Sequence, residues 1–217
     1  MPSVENGFSA LLYRFRGYIL GVIAIALVLT PPCVFSNEFG GNLFWQNDCV
    51  VGIVIAIPFY VVSAFLRVQT RRVIGEHTRG KVHAADSLVT WGAYARVRHP
   101  LYVSNTGFAL GIAFFHLGAS LWVLPFVFAF VAFEALLSRI EDRFLEQKFG
   151  DVWRMWASKT PAFVPQLECL RGSRCDSRHI PARRTFWQAF FADSSTWLWL
   201  LFCNLLLVLR KVAVFYV

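Results

Sequence analysis

Long apolar runs separated by short polar segments set the pattern of this chain. The first run, residues 17–30, follows Arg14 and Arg16 and reaches Pro31 and Pro32, with the apolar character continuing through Val34 and Phe35. No small-residue cleavage pattern follows it, so it predicts a first transmembrane helix and not a secretory leader. Residues 36–48 hold Glu38 and Asp48 but no Lys or Arg, which assigns them to the outer face. A second run, residues 49–66, returns the chain to the cytoplasm, with a kink expected at Pro58. Residues 101–117 and 120–138 are parted by little more than Gly118 and Ala119 and predict a tight antiparallel hairpin. Such a hairpin returns His99 and Glu141 to one membrane face. The last run, residues 197–209, ends at Arg210 and Lys211 and either spans or lies in the interface.

Between the last two runs the period changes. Residues 139–149 read as an amphipathic helix whose buried arc holds Ile140, Phe144, Leu145 and Phe149, with Glu141 inside the arc and Asp142 at its edge. Gly150 reads as the cap that ends it, and Asp151 as the N-cap of a short helix through Ala157. After Pro165 the sequence turns polar and basic without periodicity, predicting a loosely ordered connector in which His179 is a solvated loop residue.

Composition sharpens this picture. Of 217 residues 57% are hydrophobic and only 16% charged, which excludes an ordinary soluble domain and predicts an all-α integral membrane protein of about five transmembrane helices. The formal charge of +8 is spread between apolar runs, so it suits anionic lipid headgroups and not nucleic acid. Residues 68–98 carry six Lys or Arg against Glu76 and Asp86, among them Arg71, Arg72, Arg79 and Lys81, which places that loop in the cytoplasm. The five cysteines, Cys33, Cys49, Cys169, Cys175 and Cys203, show neither metal-ligand spacing nor a paired framework and read as incidental small side chains.

The candidate chemistry lies in residues 88–105. Arg96, Arg98 and His99 arrive together, bracketed by Tyr94 and Tyr102. Pro100 cannot donate a backbone hydrogen bond and suits the first position of a helix, so the cluster is expected at a rigid turn at the mouth of the hairpin. Glu134 near the end of the hairpin is costly in lipid and is a functional candidate, or else the partner of an arginine.

The series LVTWGAYARVRHPLYVS, a hydrophobic hairpin, IEDRFLEQKFGDVWRMW and TPAFVP resembles the core of the isoprenylcysteine carboxyl methyltransferases and their phospholipid methyltransferase relatives, over residues 86–166. Ala93, Ala95, Ser104 and Asp142 depart from that pattern, and Trp153 and Trp156 replace its usual tyrosines, where they read as interfacial anchors or as an acceptor-binding wall. The resemblance implies three parts: N-terminal helices and a loop over residues 1–85, the methyltransferase core, and a basic connector with a last helix over residues 167–217. It further implies S-adenosyl-L-methionine bound in a cytoplasmic pocket, with a lipid-like acceptor arriving from the bilayer. Tyr94, Arg98, His99, Pro100, Tyr102, Glu141 and Asp142 are the implied cofactor residues. Arg98 and His99 would meet the carboxylate, Glu141 or Asp142 the ammonium and ribose hydroxyls, and Tyr102 the sulfonium. Arg154 would orient a carboxylate acceptor, and an acid such as Glu141 would hold or deprotonate an amine. Two other readings are compatible. Membrane sterol reductases using NADPH share a similar turn and a KxGxxW segment, here KFGDVW, and a scaffold could keep the fold without the chemistry.

Overall fold

The structure, a computed structural model, describes residues 7–33, 43–74, 87–165 and 183–215. Every regular element among them is helical. In chain order these are α1 (Gly7–Leu29), α2 (Leu43–Val73), a 3-10 turn (Gly92–Ala95), α3 (Pro100–Leu117), α4 (Val123–Phe149), α5 (Asp151–Ala157), α6 (Phe186–Phe191) and α7 (Ser194–Phe215). The readings of Glu38, Glu76, Arg79, Lys81, Asp86, Cys169, Cys175 and His179 fall outside the described residues.

Among the described residues three helices are long and apolar enough to cross a membrane, over Asp48–Val73, Val123–Phe149 and Ser194–Phe215. Their outward faces agree with that solvent. In α2, Val50, Val54, Ile57, Val61 and Phe65 lie exposed at helical spacing, and in α7 Leu198, Leu201 and Leu205 do the same. Contiguous apolar surface of this kind is unfavourable in water and costs nothing against hydrocarbon.

Two compact units divide the chain. One gathers residues 17–63, 105–133 and 194–217. In it Leu27, Ala113, Leu117 and Val123 form a small buried core with Ile112, Phe114, Phe126 and Val127 packed against it. Phe59 stacks on Phe114, the Tyr60 hydroxyl donates to Asn204 Oδ1 at 2.8 Å, and Phe108 meets Trp197 edge-on. Hydrogen bonds between helices in lipid contribute about 0.6 kcal/mol on average, so packing must supply the rest. The hairpin turns at Gly118, whose φ of 69° is left-handed and suits a residue without Cβ. α2 approaches that turn so closely that a Cβ on Gly52 would lie 2.5 Å from Gly118 Cα and 2.6 Å from the Phe114 carbonyl oxygen. Because those neighbours are backbone, they cannot yield by changing rotamer. Gly52→Ala is therefore expected to destabilise the protein by about 1 to 3 kcal/mol. Thermal unfolding in nanodiscs checks this, and an unchanged midpoint would contradict the close approach.

The cysteine reading needs correction in this unit, where Cys33 and Cys49 form a disulfide. α1 ends just before Cys33, and Cys49 lies in the early turns of α2, so the bridge ties the end of one helix to the start of the next. The same end is tied by Cys33 N donating to the His116 carbonyl at 2.8 Å and Lys211 Nζ donating to the Cys33 carbonyl at 2.9 Å.

The other unit gathers residues 1–16, 64–104 and 134–193. Here α2 continues past Leu66 to Val73, where a loop was expected. Arg71 and Arg72 in its last turn favour the negative end of the helix, and the Thr70 hydroxyl donates to the Leu66 carbonyl. α4 likewise runs unbroken from the apolar run into the acidic segment, so the expected span and amphipathic helix are one element. α5 begins at Asp151 with Gly150 as its N-cap, one residue earlier than the sequence suggested. α6, which was not anticipated, starts from a capping box in which Thr185 and Gln188 each accept the other's backbone N–H.

Candidate active site

Pro100 occupies the first position of α3, where its missing N–H is not needed. The two residues ahead of it are held by the proline-bounded segment after α5. Arg98 N donates to the Pro161 carbonyl at 2.8 Å and His99 N to the Ala162 carbonyl at 3.1 Å. These backbone ties fix the direction in which both side chains leave the turn.

That direction is toward α4. Asp142 takes a donor on each carboxylate oxygen: His99 Nε2 lies 3.0 Å from Oδ1, and Arg98 Nη1 lies 3.3 Å from Oδ2. A carboxylate only accepts, so the His99 proton in this contact sits on Nε2. Glu141 Oε2 stands 3.8 Å from His99 Nδ1, beyond hydrogen-bond range. The relative depth of the two acids is the reverse of the expected one. The Glu141 side chain is 37% exposed and that of Asp142 18%, because Asp142 is drawn in by Arg98 and His99.

Aromatic rings enclose this ion cluster. His99, itself buried, meets Tyr102 at a ring separation of 5.5 Å and Phe163 at 5.8 Å. The Arg98 guanidinium lies over the Trp153 ring at 5.6 Å. Trp153 is buried against the cationic turn. Arg98 Nε and Trp153 Nε1 are both buried donors with no protein partner. Tyr94 lies in the 3-10 turn, partly buried. Burial, then the Glu141 carboxylate, holds its phenol above the ordinary range, with Arg71 opposing, so the hydroxyl keeps its proton and can donate.

The structure thus gathers Arg98, His99, Tyr102, Glu141 and Asp142 around one turn, with Pro100 shaping it. Arg154 sits elsewhere, on the exposed face of α5, donating to Glu146 at 2.8 Å and to Asp151 at 3.2 Å. Arg96 is exposed. Glu134 is 2% exposed on α4.

Sequence reasoning missed a second buried ion cluster. Asp193 accepts from Arg67 Nε, and its other oxygen lies 3.2 Å from Arg71 Nη2. The available signal was Arg67 and Arg71 one helical turn apart, with a lone acid between two aromatic-rich apolar stretches, FWQAFFA and SSTWLWLL. Phe163 was missed as well, since nothing in TPAFVP announces a partner for His99.

Comparison with known proteins adds to this geometry. Residues 51–152 match the phospholipid methyltransferase family model. The cobalt-zinc-cadmium resistance protein CzcN of Cupriavidus metallidurans is 36% identical over 195 residues, covering 89% of this chain and 83% of that protein. The nickel-cobalt-cadmium resistance protein NccN of Alcaligenes xylosoxydans xylosoxydans is 32% identical over 44% of each chain. Protein-S-isoprenylcysteine O-methyltransferase of Schizosaccharomyces pombe is 32% identical over 52% of this chain and 49% of its own. No solved structure matches significantly.

Proposed function

Because this chain belongs to the phospholipid methyltransferase family, we propose that it is a multi-pass membrane enzyme that methylates a lipid-like acceptor with S-adenosyl-L-methionine. The observation that carries this reading is Asp142, clamped on both oxygens by Arg98 and His99 while Glu141 beside it stays half exposed. One acid is committed to building the site and the other is left for a ligand.

The residues suit that cofactor. Arg98 offers a buried Nε with no protein partner to a carboxylate, and Pro100 fixes the turn that aims it. Glu141 offers its carboxylate to an ammonium or to ribose hydroxyls. Tyr102 and Phe163 offer ring faces to a cationic sulfur. Tyr94 keeps a hydroxyl proton to donate. When bound, the cofactor supplies an electrophilic methyl group. What remains for the protein is to exclude water and align the acceptor in line with that methyl, and neither task needs a covalent nucleophile. Glu141 would hold or deprotonate an amine acceptor. Arg154 would orient a carboxylate acceptor after exchanging Glu146 and Asp151 for it.

Five crossings, by α1, α2, α3, α4 and α7, with the cofactor site toward the cytoplasm, fit the same reading. α2 carries a disulfide near its start, which favours an oxidising compartment, and Arg67, Arg71 and Arg72 at its end, which favour the cytoplasm. Residues 86–166 form the methyltransferase core in this scheme, with residues 1–85 and 167–217 flanking it.

Thermal unfolding of the purified protein in nanodiscs separates the readings. S-adenosylhomocysteine at about 100 times its dissociation constant is expected to stabilise it by about 2.7 kcal/mol, with NADPH without effect. Stabilisation by NADPH alone would replace the methyltransferase with a reductase. Indifference to both would favour a scaffold.

A further inference from the structure

Trp153 is 8% exposed, and its indole N–H has no acceptor in the protein. A buried indole N–H ordinarily finds a partner, because leaving it bare costs its full desolvation. Trp91 Nε1 and Trp156 Nε1 share that lack, and Trp153 is set apart by its place, with the Arg98 guanidinium 5.6 Å from the centre of its ring. The ring face is given to the cation while the N–H leaves from the ring edge, so the two interactions do not compete. Arg98 for its part gives Nη1 to Asp142 and keeps Nε, also buried, without a partner. Two unpaired donors therefore stand on neighbouring side chains. Their backbones are tied together as well. Thr160 N donates to the Trp156 carbonyl at 3.0 Å at the end of α5, and Pro161 and Ala162, which follow directly, hold Arg98 N and His99 N. Both donors are thus in place before a ligand arrives, which lowers the ordering cost of binding.

We propose that Trp153 is a cofactor-binding residue whose indole N–H, together with Arg98 Nε, takes the carboxylate of S-adenosyl-L-methionine. A carboxylate offers two acceptor oxygens, and a pair of donors of which one is cationic suits it better than it suits a neutral single acceptor. The ammonium and the sulfonium of the same ligand cannot accept from an N–H. Asp142, the acid paired with Arg98, already holds a donor on each oxygen, which leaves this acceptor to the ligand. The inference rests on the methyltransferase reading and deepens it, because it makes the site selective for the intact amino-acid end of the cofactor.

Calorimetry in nanodiscs with two ligands tests it: S-adenosylhomocysteine, and its decarboxylated analogue, which keeps the nucleoside and the ammonium but lacks the carboxylate. Trp153→Phe removes the N–H and shrinks the ring. Incorporating 3-benzothienylalanine at position 153 keeps the bicyclic shape and puts sulfur in place of the N–H, which preserves the packing should the smaller ring not fold. Both proteins are expected to bind S-adenosylhomocysteine about tenfold more weakly than the parent, and the analogue within about threefold of the parent. A merely structural role would weaken both ligands alike. Parent-like affinity for S-adenosylhomocysteine in the benzothienyl protein overturns the proposal, and so does an equal loss for the two ligands. A parent protein that binds the two equally well overturns it too and leaves the methyltransferase reading standing, whereas a parent that binds neither removes both.

Discussion

Asp142→Asn is expected to weaken S-adenosylhomocysteine binding by about 30- to 100-fold, a loss of roughly 2 to 3 kcal/mol. The carboxylate takes His99 Nε2 on one oxygen and Arg98 Nη1 on the other. An amide keeps one acceptor and turns an NH2 donor toward whichever partner it faces, so one contact becomes repulsive and Arg98 loses its counter-charge. Removing one partner of a buried pair typically costs more than this, but the Asp142 side chain is 18% exposed and water softens the loss. Asp142→Glu keeps both acceptors and is expected to retain most of the affinity. Calorimetry on the three proteins decides the matter. Parent-like affinity in the asparagine variant would mean that the clamp does not prepare the site.

The second large effect concerns the other unit. Replacing Cys33 and Cys49 together by serine is expected to lower stability by about 3 kcal/mol, the figure for closing a loop of ~15 residues in the chain-entropy model. The bridge spans a sequence separation of 16 and sits where α1 hands over to α2. Lys211 and His116 both contact backbone at that junction, so the loosened end would also lose the alignment of these bonds. Thermal midpoints of the parent and the double variant in nanodiscs measure the effect. Equal midpoints, with mass spectrometry confirming an oxidised parent, would show that the bridge adds no stability.

Much of the fold could be read from hydrophobic run lengths. The hairpin was legible because two apolar stretches meet at Gly118, and turn geometry there demands a residue that accepts positive φ. The ends of α2 and α4 were not legible. Charged residues ordinarily mark a loop after a membrane run, yet Arg67 and Arg71 remain helical because Asp193 neutralises them from a distant part of the chain. The disulfide was hidden for a similar reason, since spacing alone does not reveal that two helix ends lie side by side. In the site, the RHP turn announced itself through Pro100. The relative depth of Glu141 and Asp142 did not follow from the period of the helix. It is decided by which acid Arg98 and His99 reach, and that is tertiary information.

α4 is 27 residues long, about 40 Å at the usual rise per residue, while the hydrocarbon layer is about 30 Å thick. One continuous helix therefore carries both the lipid-facing stretch and, further along, Asp142. Thinning or thickening the surrounding lipid is expected to tilt such a helix, whereas His99 is held by the backbone of Ala162. If the proposed function holds, acyl-chain length is expected to enter the geometry of the Asp142 clamp as a mechanical variable.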